Sequence, residues 1–349
     1  MTVIMREVLS PRPAFPFALS VSAALLSACA APGGSGGAVS PTGELAPAAR
    51  IATGTPAVRA HLLLQPGEYD PSDPQRITGA YARADRLAVP TALAPQNKYV
   101  MFEGPTLEND VIAFRFYADA RHRADVYGKR VPDLVLDTVG WDYHEVRDWG
   151  ADVLKVGESL GIGAPAILHE GALRPLSEAD VKTIHVVRTG GDTARVRFRW
   201  RGLRVGDARV DVEQDWWTVP GVYWAQVDLR VTGGEWPAGA RWATGIVRHD
   251  AAGAPATGAT AAGCAYVATW GPQSDQGDDL GLGVVALAPA ESVGLPGGGP
   301  VAERSHVLAF GGGAPGEGVS YRMVAGWGRG HAGLRDAGAF AEVVTGACE

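Results

Sequence analysis

Residues 141–163, WDYHEVRDWGADVLKVGESLGIG, hold the densest set of chemically able side chains in the sequence, with Tyr143, His144, Glu145, Asp148, Asp152 and Lys155 close together. His144 titrates near neutrality and suits proton transfer, with Asp148 or Glu145 fixing its tautomer and Tyr143 protonating a leaving oxygen. A second chemistry for His144, Glu145, Asp148 and Asp152 is a divalent cation site. No paired spacing such as HExxH supports it, so no metal is assigned. The third reading is an exposed turn whose charges pair among themselves. If the stretch is helical, His144, Asp148, Asp152 and Lys155 share one face, but Gly150 weakens such a helix by about 1 kcal/mol. A loop containing one helical turn fits equally well.

Upstream, Arg115 and Tyr117 project from one side of a strand at residues 112–117, opposite Ile112, Phe114 and Phe116. A guanidinium fork neutralises a carboxylate, and a phenol beside it donates or accepts a proton. The same pair also suits the rim of a sheet. The catalytic candidates are therefore His144, Tyr143, Arg115 and Tyr117. Lys155, Asp148, Trp149, His249 and Gln273 are the candidates for holding substrate, and Lys155 is an alternative to the arginine. His61, His122, His169, His185, His306 and His331 show no usable spacing.

These residues need a rigid frame, and the clearest part of it lies between residues 193 and 232. Ala194, Val196, Phe198 and Trp200 alternate with Arg195, Arg197, Arg199 and Arg201, the period of a half-buried strand. The arginine row invites an anionic polymer, but Asp211, Glu213 and Asp215 alternate in the next run. A three-residue connection at residues 205–207 sets Arg201 against Asp211, Arg199 against Glu213 and Arg197 against Asp215. Cross-strand pairing is the preferred account. A third strand at residues 222–232 completes a meander, and further strands are expected at 181–188, 243–247, 266–270, 283–288 and 305–310. Residues 336–344 read as a closing helix, since Ala and Glu favour one there, or as a further strand. The architecture expected is all-β, a large antiparallel β-sandwich.

Composition agrees with many turns and short elements: 47 glycines and 24 prolines in 349 residues, with 46% hydrophobic residues. A formal net charge of −7 argues against broad nucleic-acid binding. Residues 1–28 read as a secretory signal peptide ending in Leu26-Ser27-Ala28-Cys29, a lipobox-like run that would place a lipid on Cys29. An Ala/Gly/Pro/Ser tether follows at residues 29–50, then a single domain at 51–349. The expectation is an exported protein, lipid-anchored to the bacterial envelope on the periplasmic side or at the cell surface. The two remaining cysteines, Cys264 and Cys348, then suggest one disulfide.

The runs Glu108-Asn109-Asp110, Ile112-Ala113-Phe114-Arg115-Phe116-Tyr117, Asp125-Val126-Tyr127-Gly128-Lys129-Arg130, Tyr143-His144-Glu145, Asp148-Trp149-Gly150, Leu154-Lys155-Val156-Gly157, Ser159-Leu160-Gly161-Ile162-Gly163 and Ala243-Thr244-Gly245-Ile246-Val247 resemble a family of exported bacterial proteins. That family is a domain of unknown function associated with breakdown of pectin-like and other uronic-acid polysaccharides. The resemblance implies a carbohydrate role and a β-supersandwich of the galactose-mutarotase type, and it supplies no catalytic residues. The expected function is β-elimination, as a lyase or dehydratase, on uronic-acid oligosaccharides, with an acidic oligosaccharide and the membrane as partners and no cofactor. The alternatives are a mutarotase or epimerase using His144 with Glu145 or Asp148, and a non-catalytic lipoprotein holding glycan on Trp141, Trp149, Trp216 and Trp217.

Overall fold

A computed structural model describes residues 57–311 and 316–349. The signal peptide, the tether and Cys29 lie outside the described residues. The chain is an all-β sandwich built on one nine-stranded antiparallel sheet. Its centre is the expected meander: Val181–Arg188, Ala194–Val205, Ala208–Thr218 and Trp224–Gly234 lie side by side. Val319–Trp327 then joins Trp224–Gly234 to Leu280–Ala286, followed by Ala265–Gly271 and Ala256–Ala259. The inward row Val196, Phe198, Trp200, Trp216, Val227 and Tyr321 is fully or almost fully buried. Each such aromatic side chain contributes roughly 1.5–3 kcal/mol of burial free energy.

The hairpin of the meander differs from expectation in one respect. Arg199 faces Glu213 and Arg197 faces Asp215, but Val205 pairs with Ala208 across a tighter, two-residue turn. The extra residue is taken up by a bulge between Trp200 and Leu203, so Arg201 does not oppose Asp211. Gly202 occupies the bulge at φ +62, open to glycine at no steric cost, and its N–H donates to Asp211 Oδ1 at 2.8 Å.

Two five-stranded sheets lie over the inner face of the large sheet. One contains Ala166–His169, Ala172–Pro175, Arg241–Val247, Ala290–Val293 and Ser305–Phe310. The other, which carries the candidate site, runs Val58–His61, Thr106–Asn109, Ile112–Phe116, Ala124–Lys129, Gly150–Asp152. Residues 153–163 link them through isolated bridges, Gly161 to Ala124 and Ile162 to Ile246. Outside the large sheet, the helix Ala337–Gly346 is capped by Asp336 and packs Phe340 and Val344 against it. Cys264 and Cys348 are joined in a disulfide with a Cα–Cα distance of 5.9 Å. A bridge closing so long a loop stabilises a fold by about 2–5 kcal/mol.

Register explains why the smaller sheet is unusual. Val58, Ala60, Leu107, Ile112, Phe114, Phe116, Val126 and Ala151 point to the core. The alternate positions, Arg59, His61, Thr106, Glu108, Arg115, Asp125, Tyr127, Lys129 and Asp152, form a polar face on the other side. That face is not in solvent. Residues 98–103 and 133–149 fold over it, contributing Met101, Phe102, Leu136 and Tyr143 to a second apolar cluster.

At one end of this covered face, His61 bonds Asp137 through Nδ1 at 3.0 Å and Glu108 through Nε2 at 3.1 Å, while Lys129 Nζ sits 3.0 Å from Glu108. Burial opposes the imidazolium, but the two carboxylates outweigh it and raise the His61 pKa above 6.5. Its hydrogen bond to His61, aided by Arg59 and Arg83, pushes Asp137 down to about 2. The His61 contribution is full below pH 6.5 and lost as pH rises through its folded pKa; that of Asp137 is full above pH 3.8 and lost towards about 2. Thermal unfolding across pH should therefore show a broad maximum at mildly acidic pH, and His61→Phe should abolish the decline above it. A midpoint that keeps rising from pH 6 to 8 would contradict this.

Candidate functional site

The other end of the covered face is organised by Arg115. Its side chain is 1% exposed, and its Nη2 donates to Tyr117 Oη at 3.1 Å, to Asp152 Oδ2 at 2.9 Å and to Asp125. Nη1 donates to Tyr143 Oη at 3.2 Å and to the Phe102 carbonyl at 3.1 Å. Phe102 and Glu103 adopt left-handed backbone, φ 61 and 60, which turns that carbonyl toward the guanidinium. Such conformations cost about 1–3 kcal/mol each and persist where surroundings over-determine them. The rings of Tyr117, Tyr127 and Tyr143 surround the cation at 4.6, 5.2 and 5.4 Å.

His144 is joined to this array from outside. Residues 141–149 form turns, not a helix, and Asp152 lies in the short strand Gly150–Asp152. Gly150 starts that strand at φ +137, and a Cβ there would collide with the Gly128 carbonyl. The Asp152 N–H donates to the Tyr143 carbonyl at 2.7 Å, which brings the turn and strand together. His144 is 60% exposed, with Nδ1 3.4 Å from Asp152 Oδ2, an ion-pair contact longer than a hydrogen bond. Its ring packs on Tyr143 with centroids 4.4 Å apart.

The electrostatics assign distinct states. Burial, with the Asp125 carboxylate close by, raises Asp152 well above the ordinary carboxylate range, against the pull of Arg115. Partial burial and the nearby Arg115 cation lower His144 below 6.5. Burial pushes Tyr143 up to about 12 and raises Tyr117 well above its ordinary value. Both phenols therefore keep their protons at neutral pH, and the imidazole is neutral. In the tautomer that carries its hydrogen on Nδ1, facing Asp152, the neutral ring has its Nε2 lone pair free to accept a proton from a bound molecule.

The structure thus brings Arg115, Tyr117, Tyr143 and His144 together, but in unequal positions. Arg115, Tyr117 and Tyr143 are enclosed, and Arg115 spends both of its outer nitrogens on protein acceptors. Buried, they position Asp152 and His144 rather than meet a ligand, whereas His144 reaches the surface. Lys155 is exposed on the segment after Asp152, and His249 neighbours the Lys155 backbone. Asp148 is exposed and Trp149 half-buried near Tyr127. Gln273 turns inward, its amide donating to Thr269 Oγ1 at 2.9 Å and to the Leu280 carbonyl at 2.7 Å. Trp216 is fully buried in the core, so of the tryptophans considered for glycan stacking it presents no face.

Sequence reasoning passed over three contributors. Asp125 shares Arg115 with Asp152, Tyr127 closes the aromatic ring around the cation, and Gln276 holds a loop against the site, its Nε2 donating to the Asp152 carbonyl at 2.9 Å. The alternation of Asp125 and Tyr127 in their strand placed both on the Arg115 face, which was a usable signal. Nothing in the spacing foretold Gln276. Among the described residues no group of three or more His, Cys, Asp or Glu side chains is arranged to hold a metal ion.

Comparison with known families gives one match: the family described as a domain of unknown function, DUF4861, over residues 55–348. The chain belongs to that family. No curated protein matches it. The DUF4861 match spans both five-stranded sheets and the large sheet, so every residue of the His144 site lies inside it.

Proposed function

We propose that this DUF4861 protein acts on uronic-acid-containing oligosaccharides by β-elimination, as a lyase or dehydratase. The observation that carries the reading is a neutral, exposed His144 backed by the buried Asp152–Arg115–Asp125 array. A uronate loses its C5 proton once a cation neutralises the neighbouring carboxylate. Exposed Lys155 takes that role, since Arg115 is enclosed. His144 Nε2 receives the C5 proton, the C4–O bond breaks as the C4–C5 double bond forms, and the departing oxygen takes a proton from solvent. Asp152 holds the imidazole through Nδ1, and Arg115 fixes Asp152.

The test is incubation with a panel of uronic-acid oligosaccharides while following absorbance of the conjugated 4,5-double bond. Product from wild type and not from His144→Ala supports the reading. Absence of unsaturated product across the panel removes it, and anomer exchange by proton NMR without a mass change would select a mutarotase instead.

We further propose that the protein is an exported lipoprotein, anchored through Cys29 after removal of residues 1–28, in keeping with the lipobox-like run and the tether behind it. Mass spectrometry of detergent-extracted protein is expected to find an acylated N-terminal Cys29, with Cys29→Ser released from the membrane fraction. An unmodified N-terminus upstream of residue 29 would refute this.

A further inference from the structure

The solvent face of the nine-stranded sheet contains a feature the His144 site does not use. Strand register sets Arg195 opposite Trp217, Trp217 opposite Gln226 and Gln226 opposite Arg322, one residue from each of four adjacent strands. At a strand spacing of about 4.8 Å this row spans about 14 Å, the reach of a short oligosaccharide rather than one sugar. Trp224 lies diagonal to Trp217, ring centroids 5.6 Å apart and nearly perpendicular. Both indoles are half-buried. Arg195 stands 6.0 Å from the Trp217 ring, and Arg322 lies 4.0 Å over that of Trp224.

The row is preorganised. Trp217 Nε1 donates to Asp228 Oδ2 at 2.8 Å, and Asp228 also accepts from Gln226 and Ser320. Arg322 donates through Nε to Gln226 Oε1 at 3.3 Å and through Nη1 to the Ala347 carbonyl at 2.9 Å. Of the neighbouring carboxylates, Asp215 pairs with Arg197 and Glu213 with Arg199 and Arg230, whereas Asp228 is held by the neutral donors just named. Arg195 has no carboxylate within ion-pair reach among the described residues, and its Nε is buried without a hydrogen-bond partner. In a chain of net charge −7, this face holds a local excess of guanidinium. The arginines Arg86, Arg197 and Arg199 also depress the pKa of His185 nearby, after its partial burial.

We propose that Arg195, Trp217, Trp224 and Arg322 form a binding ledge for an acidic oligosaccharide, separate from the His144 site. The assignment of uronates as its ligand rests on the function proposed above. Indole faces take the apolar C–H faces of pyranose rings, and a guanidinium takes a carboxylate in a two-pronged bond. A single-stranded nucleic acid also uses stacking and arginine, so it is a separate arm of the test.

Calorimetric titration with oligogalacturonate, a neutral oligosaccharide of equal length and a single-stranded oligonucleotide tests this. Wild type should bind the oligogalacturonate with salt-sensitive affinity. Trp217→Ala should weaken it about thirty-fold and Arg195→Gln about ten-fold, typical of losing a central aromatic and a charged hydrogen bond. Trp217→Phe, which keeps a stacking ring, should stay within about three-fold of wild type. Equal thermal midpoints show that each variant folds. Undiminished binding in Trp217→Ala and Arg195→Gln overturns the ledge, as does equal affinity for the neutral sugar, preference for the oligonucleotide, or no binding. Unsaturated product alongside normal binding by Trp217→Ala would leave the elimination standing without the ledge. Ledge-dependent binding without product would leave the ledge standing alone.

Discussion

Methionine in place of Arg115 is expected to lower the unfolding free energy by about 3–5 kcal/mol, the scale for removing one partner of a buried ion pair. The reason is geometric. Asp125 and Asp152 share one guanidinium, both are almost fully buried, and neither has another cation in contact. Removing it leaves two carboxyl groups in a low-dielectric space without the cation that holds charge on them, and Tyr143 Oη and the Phe102 carbonyl lose their donor. Urea titration should show the lower midpoint. Arg209→Met is the control: its pair with Asp180 is 48% and 64% exposed, and its loss should cost less than about 1 kcal/mol. A similar cost for both variants would mean that the Arg115 array contributes no more than a surface pair.

His144→Ala is expected to lower kcat/KM for the proposed elimination by about 10²–10⁴, the range for a general base, and to leave the thermal midpoint close to wild type because the side chain is 60% exposed. The pH profile gives a sharper readout. The His144 pKa lies below 6.5, so the neutral imidazole persists at neutral pH and the acid limb of kcat/KM should fall below that value. Residual activity in His144→Ala should lack this limb. Asp152→Asn should weaken the rate through His144 while the ring itself remains. Activity in His144→Ala equal to wild type would assign proton abstraction to another group.

The sequence showed some of this organisation clearly. Residues 194–201 and 209–215 were legible because charged or polar and apolar side chains alternate in each, and Arg197 and Arg199 meet Asp215 and Glu213 as the spacing requires. The bulge at Gly202 was not legible, since an αL glycine in a strand looks like any other glycine. Alternation also placed Arg115 and Tyr117 on the face opposite Phe114 and Phe116. What it does not encode is whether a second segment covers a polar face. Residues 133–149 do so through backbone donors: Val135 and Leu136 N–H groups bond Glu108 at 2.7 and 3.2 Å. Such bonds leave no side-chain pattern. Of the two local readings, one helix face or a loop, the structure takes the loop, and His144 and Asp152 meet through a turn and a strand.

The position of the strand Val319–Trp327 has a consequence for how the chain acquires its shape. It lies between Trp224–Gly234 and Leu280–Ala286, hydrogen-bonded to both, although it is the last strand along the chain. Until it arrives, the meander and the hairpins after it are two unconnected half-sheets, each with an open edge able to pair with a neighbouring molecule. Contacts this distant in sequence form slowly. In chain order both halves are made before the strand that joins them, so two inner edges of the largest sheet stand unpaired until Val319–Trp327 is synthesised.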